Sequence, residues 1–184
     1  MLVIAVVGRR GSGKGVFADA ARGMGFPVFE MSDAVVGRML KTDIIITNKS
    51  LRLFADRLRK KHGKECVARE TIRRVEMEVQ DASAVVVVGI RSPEEIAAFK
   101  RAFEEFVLIG IKAPLEERWK RVQKRKRPED ARSLEDFRWA ERIEEKWGVG
   151  RAIEMADVAV KNEGKQQAFK CLSQRLLKAL GEMR

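Results

Sequence analysis

Gly8, Gly13 and Lys14 stand at the fixed positions of a GxxxxGK pattern, Gly8-Arg9-Arg10-Gly11-Ser12-Gly13-Lys14-Gly15, and the apolar run Leu2-Val3-Ile4-Ala5-Val6-Val7 leads straight into it. A strand before and an amphipathic helix after are the context in which this pattern cradles phosphates. Glycines let successive backbone N–H groups turn onto phosphate oxygens, and the helix N-terminus adds about half a positive charge. Lys14 then reaches the β and γ phosphates as a point charge. The chain is therefore expected to bind a nucleoside polyphosphate through Gly8, Arg10, Gly11, Ser12, Gly13, Lys14, Gly15 and Val16. One position departs from the pattern: Gly15, followed by Val16, replaces the Ser or Thr whose hydroxyl binds magnesium. The phosphate cradle is intact, but no direct hydroxyl ligand for Mg2+ is evident.

Other chemistry-bearing residues follow strand-like runs. Arg91 comes after Val85-Val86-Val87-Val88-Gly89-Ile90, beside the loop, where a guanidinium can grip a phosphate with two parallel hydrogen bonds. The plain alternative is a surface ion pair with Glu94 or Glu95. Asp33 lies just past the second strand, placed to take a proton from a hydroxyl acceptor, to hold magnesium through water, or to cap a helix starting near Ala34. Arg38, a turn further on, either contacts an acceptor phosphate or is simply solvated. Arg118, Arg121, Arg125, Arg127 and Arg142 occupy a strongly charged stretch; each either offsets charge on a transferring phosphoryl group or is a solvated helix charge. His62, ahead of Gly63 at a helix end, suits the helix dipole and has no metal-ligand spacing.

The elements that position these residues are legible from periodicity. Leu2 to Val7, Ala84 to Val88 and Phe106 to Ile111 are continuously apolar and β-branched, as in buried parallel strands, and Pro27 to Glu30 and Val158 to Val160 complete five. Helical patterns lie between them. One runs through Val16, Phe17, Ala20, Ala21 and Met24 to a stop at Gly25; another starts at Ser92-Pro93-Glu94-Glu95 with capping-box spacing. Others are marked by Leu115, Trp119 and Val122, and by Phe169, Leu172, Leu176 and Leu180. Alternating strands and helices predict an α/β class, a doubly wound five-stranded parallel sheet with helices on both faces and ligands at the carboxyl ends of the strands. Two stretches interrupt the alternation. Ser50 to Val79 reads as a helical insertion, part of an acceptor-binding region of about 33–80, and a basic lid of about 124–147 begins Lys124-Arg125-Lys126-Arg127-Pro128. Both are natural closing lobes of a phosphotransferase within one domain spanning residues 1–184.

The 184 residues carry 38 Lys and Arg against 27 Asp and Glu, a net charge of +11 that favours anionic ligands without choosing among nucleotides, coenzymes and nucleic acid. Cys66 and Cys171 are isolated, so neither a metal knuckle nor a disulfide framework is expected, and a reduced, cytoplasmic setting is. The short apolar N-terminus runs directly into the loop, so neither a signal peptide nor a membrane span is expected.

The loop resembles the GxPGxGKG of adenylate kinases, and Val85 through Arg91 resembles their apolar strand ending in Asp-Gly-x-x-Arg. A closer resemblance runs along nearly the whole chain. Phe29-Glu30-Met31-Ser32-Asp33, Gly89-Ile90-Arg91-Ser92, Trp147-Gly148-Val149-Gly150 and Ala156-Asp157-Val158 through Asn162-Glu163-Gly164 look like an archaeal family related to dephospho-coenzyme A kinase and nucleoside monophosphate kinases. That resemblance implies a P-loop kinase fold with ATP as donor and an acceptor phosphate held by Arg91; Asp33, Arg38 and Gly89 are the further candidates for the acceptor site. Alignment with the family selects Arg127 and Arg142 as the lid arginines and places Asn162 and Gly164 beside the adenine, although the same residue types make a plain turn. It also exposes a departure: Val88 stands where the resembled enzymes carry the acid that organises magnesium.

The expectation is an ATP- and Mg2+-dependent phosphotransferase of the nucleoside monophosphate kinase type, with small-molecule nucleotides as partners. A dephospho-coenzyme A kinase-like enzyme is the alternative within the class. A nucleotide-binding regulatory protein with degenerate catalysis is the alternative outside it, motivated by Val88, Gly15 and Val16. RNA association, motivated by seven basic residues from Arg118 to Arg127, is weakened by the absence of Tyr and of interleaved aromatics.

Overall fold

The β-branched runs form strands because both faces of the sheet are covered, so no position along them needs to be polar. The computed structural model describes residues 1–125, 127 and 130–182. Its elements run β1 (Leu2–Gly8), α1 (Lys14–Gly23), β2 (Val28–Glu30), α2 (Met31–Met39), α3 (Asn48–His62), α4 (Cys66–Glu78) and β3 (Ala84–Ile90). They continue with α5 (Pro93–Ala102), β4 (Glu105–Lys112), α6 (Leu115–Arg125), α7 (Leu134–Trp147), α8 (Val149–Glu154), β5 (Val158–Lys161) and α9 (Gln166–Glu182). The five strands are all parallel in the order β2-β3-β1-β4-β5, so β1 lies at the centre and its carboxyl end delivers the glycine loop to the middle of the sheet edge.

Side-chain alternation divides the core. Val3, Ala5 and Val7 face a layer containing Phe99, Val149 and Trp147, whereas Leu2, Ile4 and Val6 face Phe17, Ala20 and Leu177 of α1 and α9. At the end of β3 the register with β1 slips: Val6 pairs with Val88 and Val7 with Ile90, which leaves Gly89 as the extra residue at φ +102°. A bulge of this kind bends its strand and re-aims the side chains beyond it, here that of Arg91. Ser92 caps α5 by accepting from the Glu95 amide at 3.2 Å, as its spacing predicts. The reciprocal arm differs: Glu95 Oε2 accepts from the Arg91 amide at 2.7 Å, so this carboxylate fixes the backbone of Arg91.

Two local expectations are corrected. The helix expected near Ala34 begins at Met31, directly after β2, so Asp33 lies in its first turn and Glu30 holds the capping position. A carboxylate there still complements the helix dipole but caps nothing. α8 has only six residues, too few for its period to stand out. α9 buries Phe169, Ser173, Leu177 and Leu180 and leaves Leu172 exposed, because its contact face is rotated from the one that leucine spacing suggests. Lys126 and Pro128 of the basic run lie outside the described residues. Among the described residues no helix is long and apolar enough to cross a membrane.

β5 is held to β4 partly by a side chain: Asp157 Oδ2 accepts from the Leu108 amide at 2.8 Å, one residue before the two strands begin to pair. Asp157→Ala leaves that amide unpaired and is expected to lower unfolding stability by about 1–3 kcal/mol, read from the urea midpoint at unchanged m-value, with Asp157→Asn losing less.

Candidate active site

The glycine loop is shaped by what packs against it. A Cβ on Gly11, at φ +74°, would lie 2.4 Å from the Arg118 carbonyl oxygen, and one on Gly13, at φ +116°, would lie 2.3 Å from Asn162 Nδ2. Asn162 is buried, donates to the Ser12 carbonyl at 2.8 Å and is tied through its own amide to Lys112 O at 2.8 Å. The end of β5 therefore buttresses the loop from beneath, while Gly164 is exposed. Lys14 opens α1 and folds its ammonium onto the Gly8 and Arg9 carbonyls at 2.6 and 3.1 Å. Burial, with Arg91 adding like charge, pushes its pKa down to about 7.

Arg10 does not point freely into the cradle. Its guanidinium donates to Asn48 Oδ1 of α3 at 2.7 Å and to buried Asp130 at 2.9 Å, which joins the loop to both segments expected to close over it. Asp130 also receives Arg125 through two bonds of 2.8 and 2.6 Å and the Arg127 amide at 3.1 Å. Burial opposes the Asp130 charge, but Arg125 and Arg10 outweigh it and hold the carboxyl below its usual range. Arg118 is buried, donates to the Ala113 and Arg10 carbonyls and forms an ion pair with Glu141. Arg121 donates to the Asn162 carbonyl at 3.0 Å and to the Gly11 carbonyl at 3.4 Å. Arg118 and Arg121 thus support the loop directly, and Arg125 does so through Asp130. Arg127 differs, with Nη2 3.8 Å from where a Cβ on Gly15 would lie, over the start of α1; Arg142 is exposed on α7.

A half-open cleft, about 370 Å3 when the open solvent at its mouth is counted and about 40 Å3 as an enclosed cavity, lies between α2, α3 and the end of β3. Met31, Val35, Leu51, Ala55, Val67 and Trp147 give it apolar walls, and Ser32, Gly89, Arg52, Arg59, Arg91 and Glu144 supply its polar lining. Glu144 is buried and pairs with Arg91 and, at 3.2 Å, with Arg52. Burial alone would raise its pKa, but Arg91 and Arg52 drive it far below the ordinary carboxylate range. Arg59 pairs with Glu95 at 2.6 Å and stacks 4.2 Å from the Trp147 ring, whose indole N–H donates to Asp56 at 3.0 Å.

Of the residues singled out in the sequence, Arg91 and Gly89 line this cavity beside the loop, with Glu144 rather than Glu94 or Glu95 as the partner of the Arg91 side chain. Asp33 and Arg38 do not line it. Asp33 is exposed, 4.0 Å from Arg74, with its carboxyl raised by burial and by Glu30; Arg38 pairs with Glu70 at 2.5 Å. Arg52, Asp130 and Glu144 escaped sequence reasoning, because charged residues on helices and in polar connections read as solvated; Glu95 is legible only as a capping residue or a surface partner of Arg91. The face shared by Arg52, Ala55 and Arg59, with a small apolar residue between two arginines, was the available signal. For magnesium the donors do not fit: position 15 has no side chain, Val88 is buried and apolar, and no group of three His, Cys, Asp or Glu gathers among the described residues.

The chain is 41% identical over 170 residues to a UPF0200/UPF0201 protein of Archaeoglobus fulgidus, across 92% of this chain and 53% of that one. It is 37% identical over 181 residues to a UPF0200 protein of Methanoculleus marisnigri, across 98% of each. It thus spans about half the length of the first relative and nearly all of the second. No family model matches the chain. Among solved structures it is similar to TT1252 from Thermus thermophilus, with TM-score 0.67 at 23% identity over 100% of this chain and 98% of that one. It is also similar to shikimate kinase from Bacteroides thetaiotaomicron (0.60, 15%, 98% of each) and to a gluconokinase from Sinorhizobium meliloti (0.56, 17%, 98% and 94%). At these identities the likeness establishes the P-loop kinase fold, and the kinship to adenylate and dephospho-coenzyme A kinases is finer than it reaches.

Gly13→Ala forces both a strained backbone and a clash with Asn162; it is expected to cost about 1–3 kcal/mol of stability, seen as a lower thermal midpoint, and to abolish nucleotide binding. Lys14 supplies a pH signature. With its free pKa near 7, an anionic phosphate restores the proton, so binding takes up protons above pH 7. Affinity for ATP is expected to fall by up to about tenfold per pH unit between roughly pH 7 and 9, and calorimetry in buffers of different ionisation enthalpy at pH 8 should register uptake of close to one proton.

Proposed function

The chain belongs to the UPF0200 family, and from that footing we propose that it is an ATP-dependent phosphotransferase acting on a small phosphorylated acceptor, of the nucleoside monophosphate kinase type. The observation that carries this reading is that Lys14 and Arg91, from different strand ends, bracket one edge of the sheet, with an apolar-walled cavity opening on the Arg91 side. ATP would bind along Gly8 to Val16 with Asn162 and Gly164 toward the adenine, and the acceptor would enter the cavity with its phosphate on Arg91, beside Gly89. An oxygen of that phosphate attacks the γ phosphorus in line; the new P–O bond forms as the bond to the β–γ bridging oxygen breaks, and ADP leaves with the electron pair. Such an oxygen is already anionic and needs no base, which agrees with Asp33 lying outside the cavity. Lys14, Arg127 and, after closure, Arg142 would offset the charge that builds on the equatorial oxygens.

Position 15 and Val88 favour a second reading, nucleotide binding with degenerate turnover, since among the described residues no cluster of His, Cys, Asp or Glu replaces the hydroxyl and acid they lack. The two separate in one assay: ADP release from ATP with Mg2+, screened across AMP, CMP, GMP, UMP, dTMP and dephospho-coenzyme A, with Lys14→Ala as the control. A monophosphate is expected to raise the rate, and Lys14→Ala to remove it by at least about a hundredfold. ATP binding with no stimulation by any acceptor would favour the degenerate reading, and unchanged binding and turnover in Lys14→Ala would overturn both.

A further inference from the structure

Glu144 is the sole carboxylate lining the acceptor cavity among the described residues, and it lies where an acceptor anion would bind. It projects from the anchored end of α7: one turn on, Trp147 is buried, bonded to Asp56 and stacked on Arg59. The backbone at Glu144 is therefore fixed, and the carboxylate can choose only among guanidinium groups within reach of its side chain. Those two groups are unequal. Arg52 is 6% exposed and also tied to the Asn48 carbonyl at 2.8 Å, whereas Arg91 is 24% exposed. A ligand can take Arg91 and leave Glu144 paired with Arg52, so no buried charge is stranded.

We propose that Glu144 determines which anion the acceptor cavity accepts: it occupies Arg91 as an internal competitor that a phosphate dianion displaces and a carboxylate does not. The proposal rests on the reading of this cavity as the acceptor site. An incoming carboxylate would only reproduce the bond that Glu144 already makes, and it loses translational freedom on binding that a tethered side chain does not. A phosphate brings one more negative charge and a second oxygen edge for the guanidinium. The surroundings suit that extra charge: Arg10 is answered by Asp130 and Arg59 by Glu95, leaving Lys14, Arg52 and Arg91 against the one carboxylate of Glu144. Carboxylate-bearing acceptors would then be refused, and phosphorylated ones admitted, before any chemistry.

The test is calorimetric titration of inorganic phosphate and of acetate into protein whose glycine loop is saturated with ADP. Wild type is expected to bind phosphate and not acetate. Glu144→Gln should bind phosphate at least about tenfold tighter and acquire acetate binding, and both gains should vanish in Glu144→Gln/Arg91→Gln. Glu144→Asp, which withdraws the carboxylate from Arg91 but keeps its charge, should move in the same direction and serves if the glutamine variant does not fold. Unchanged affinity and selectivity in the Glu144 variants, with phosphate binding still lost in Arg91→Gln, would overturn this proposal alone. Phosphate binding that survives Arg91→Gln unchanged would overturn the acceptor site itself.

Discussion

The arrangement of this protein depends on answering buried positive charge. Arg10, Arg52, Arg59 and Arg118 are all nearly inaccessible, and the sheet edge they surround also holds Lys14 and Arg91. A lone buried charge costs several kcal/mol, so each of those four arginines meets a carboxylate from another element: Asp130, Glu144, Glu95 and Glu141. Such pairs add little net stability, because desolvation consumes most of the Coulomb gain. What they supply is geometry. They tie α3 to α5 and to α7, α6 to α7, and the glycine loop to the segment ahead of α7, and they leave Nε of Arg52 and of Arg59 buried without a partner, so the arrangement remains imperfectly satisfied.

The same pairing explains why so basic a segment need not be a nucleic-acid patch. Arg118, Arg121 and Arg125 hold backbone carbonyls and Asp130 in place, which uses their donors inside the chain. The loop is braced on one side by α6 and on another by Asn162 from β5, so its amides are organised before any phosphate arrives. Preorganised donors cost no reorganisation when charge develops, and this is where a phosphotransferase gains most.

Charge also separates the two halves of the site. At the glycine loop Lys14 is held in a desolvated position that lowers its proton affinity. Beside the cavity Arg91 pairs with Glu144, with its backbone amide held by Glu95. The bulge at Gly89 lies at the end of β3, two residues before Arg91.

The sequence by itself determined the five parallel strands, the helices on both faces, the phosphate loop and the position of Arg91 at a strand end beside it. These are local properties: continuous β-branched runs, helical spacing, and glycines where no Cβ fits. It could not determine which charges lie inside. Arg52 and Glu144 are 92 residues apart, Arg10 and Asp130 are 120 apart, and in its own segment each resembles the solvated residues around it. Asp33 and Arg38 stood closer to the strand ends in sequence, yet the packing of α4 against α2 gave them Arg74 and Glu70 as neighbours instead of the cavity. Burial of a charge is decided by elements that meet only after folding, and so the identity of the acid facing Arg91 belongs to the tertiary structure alone.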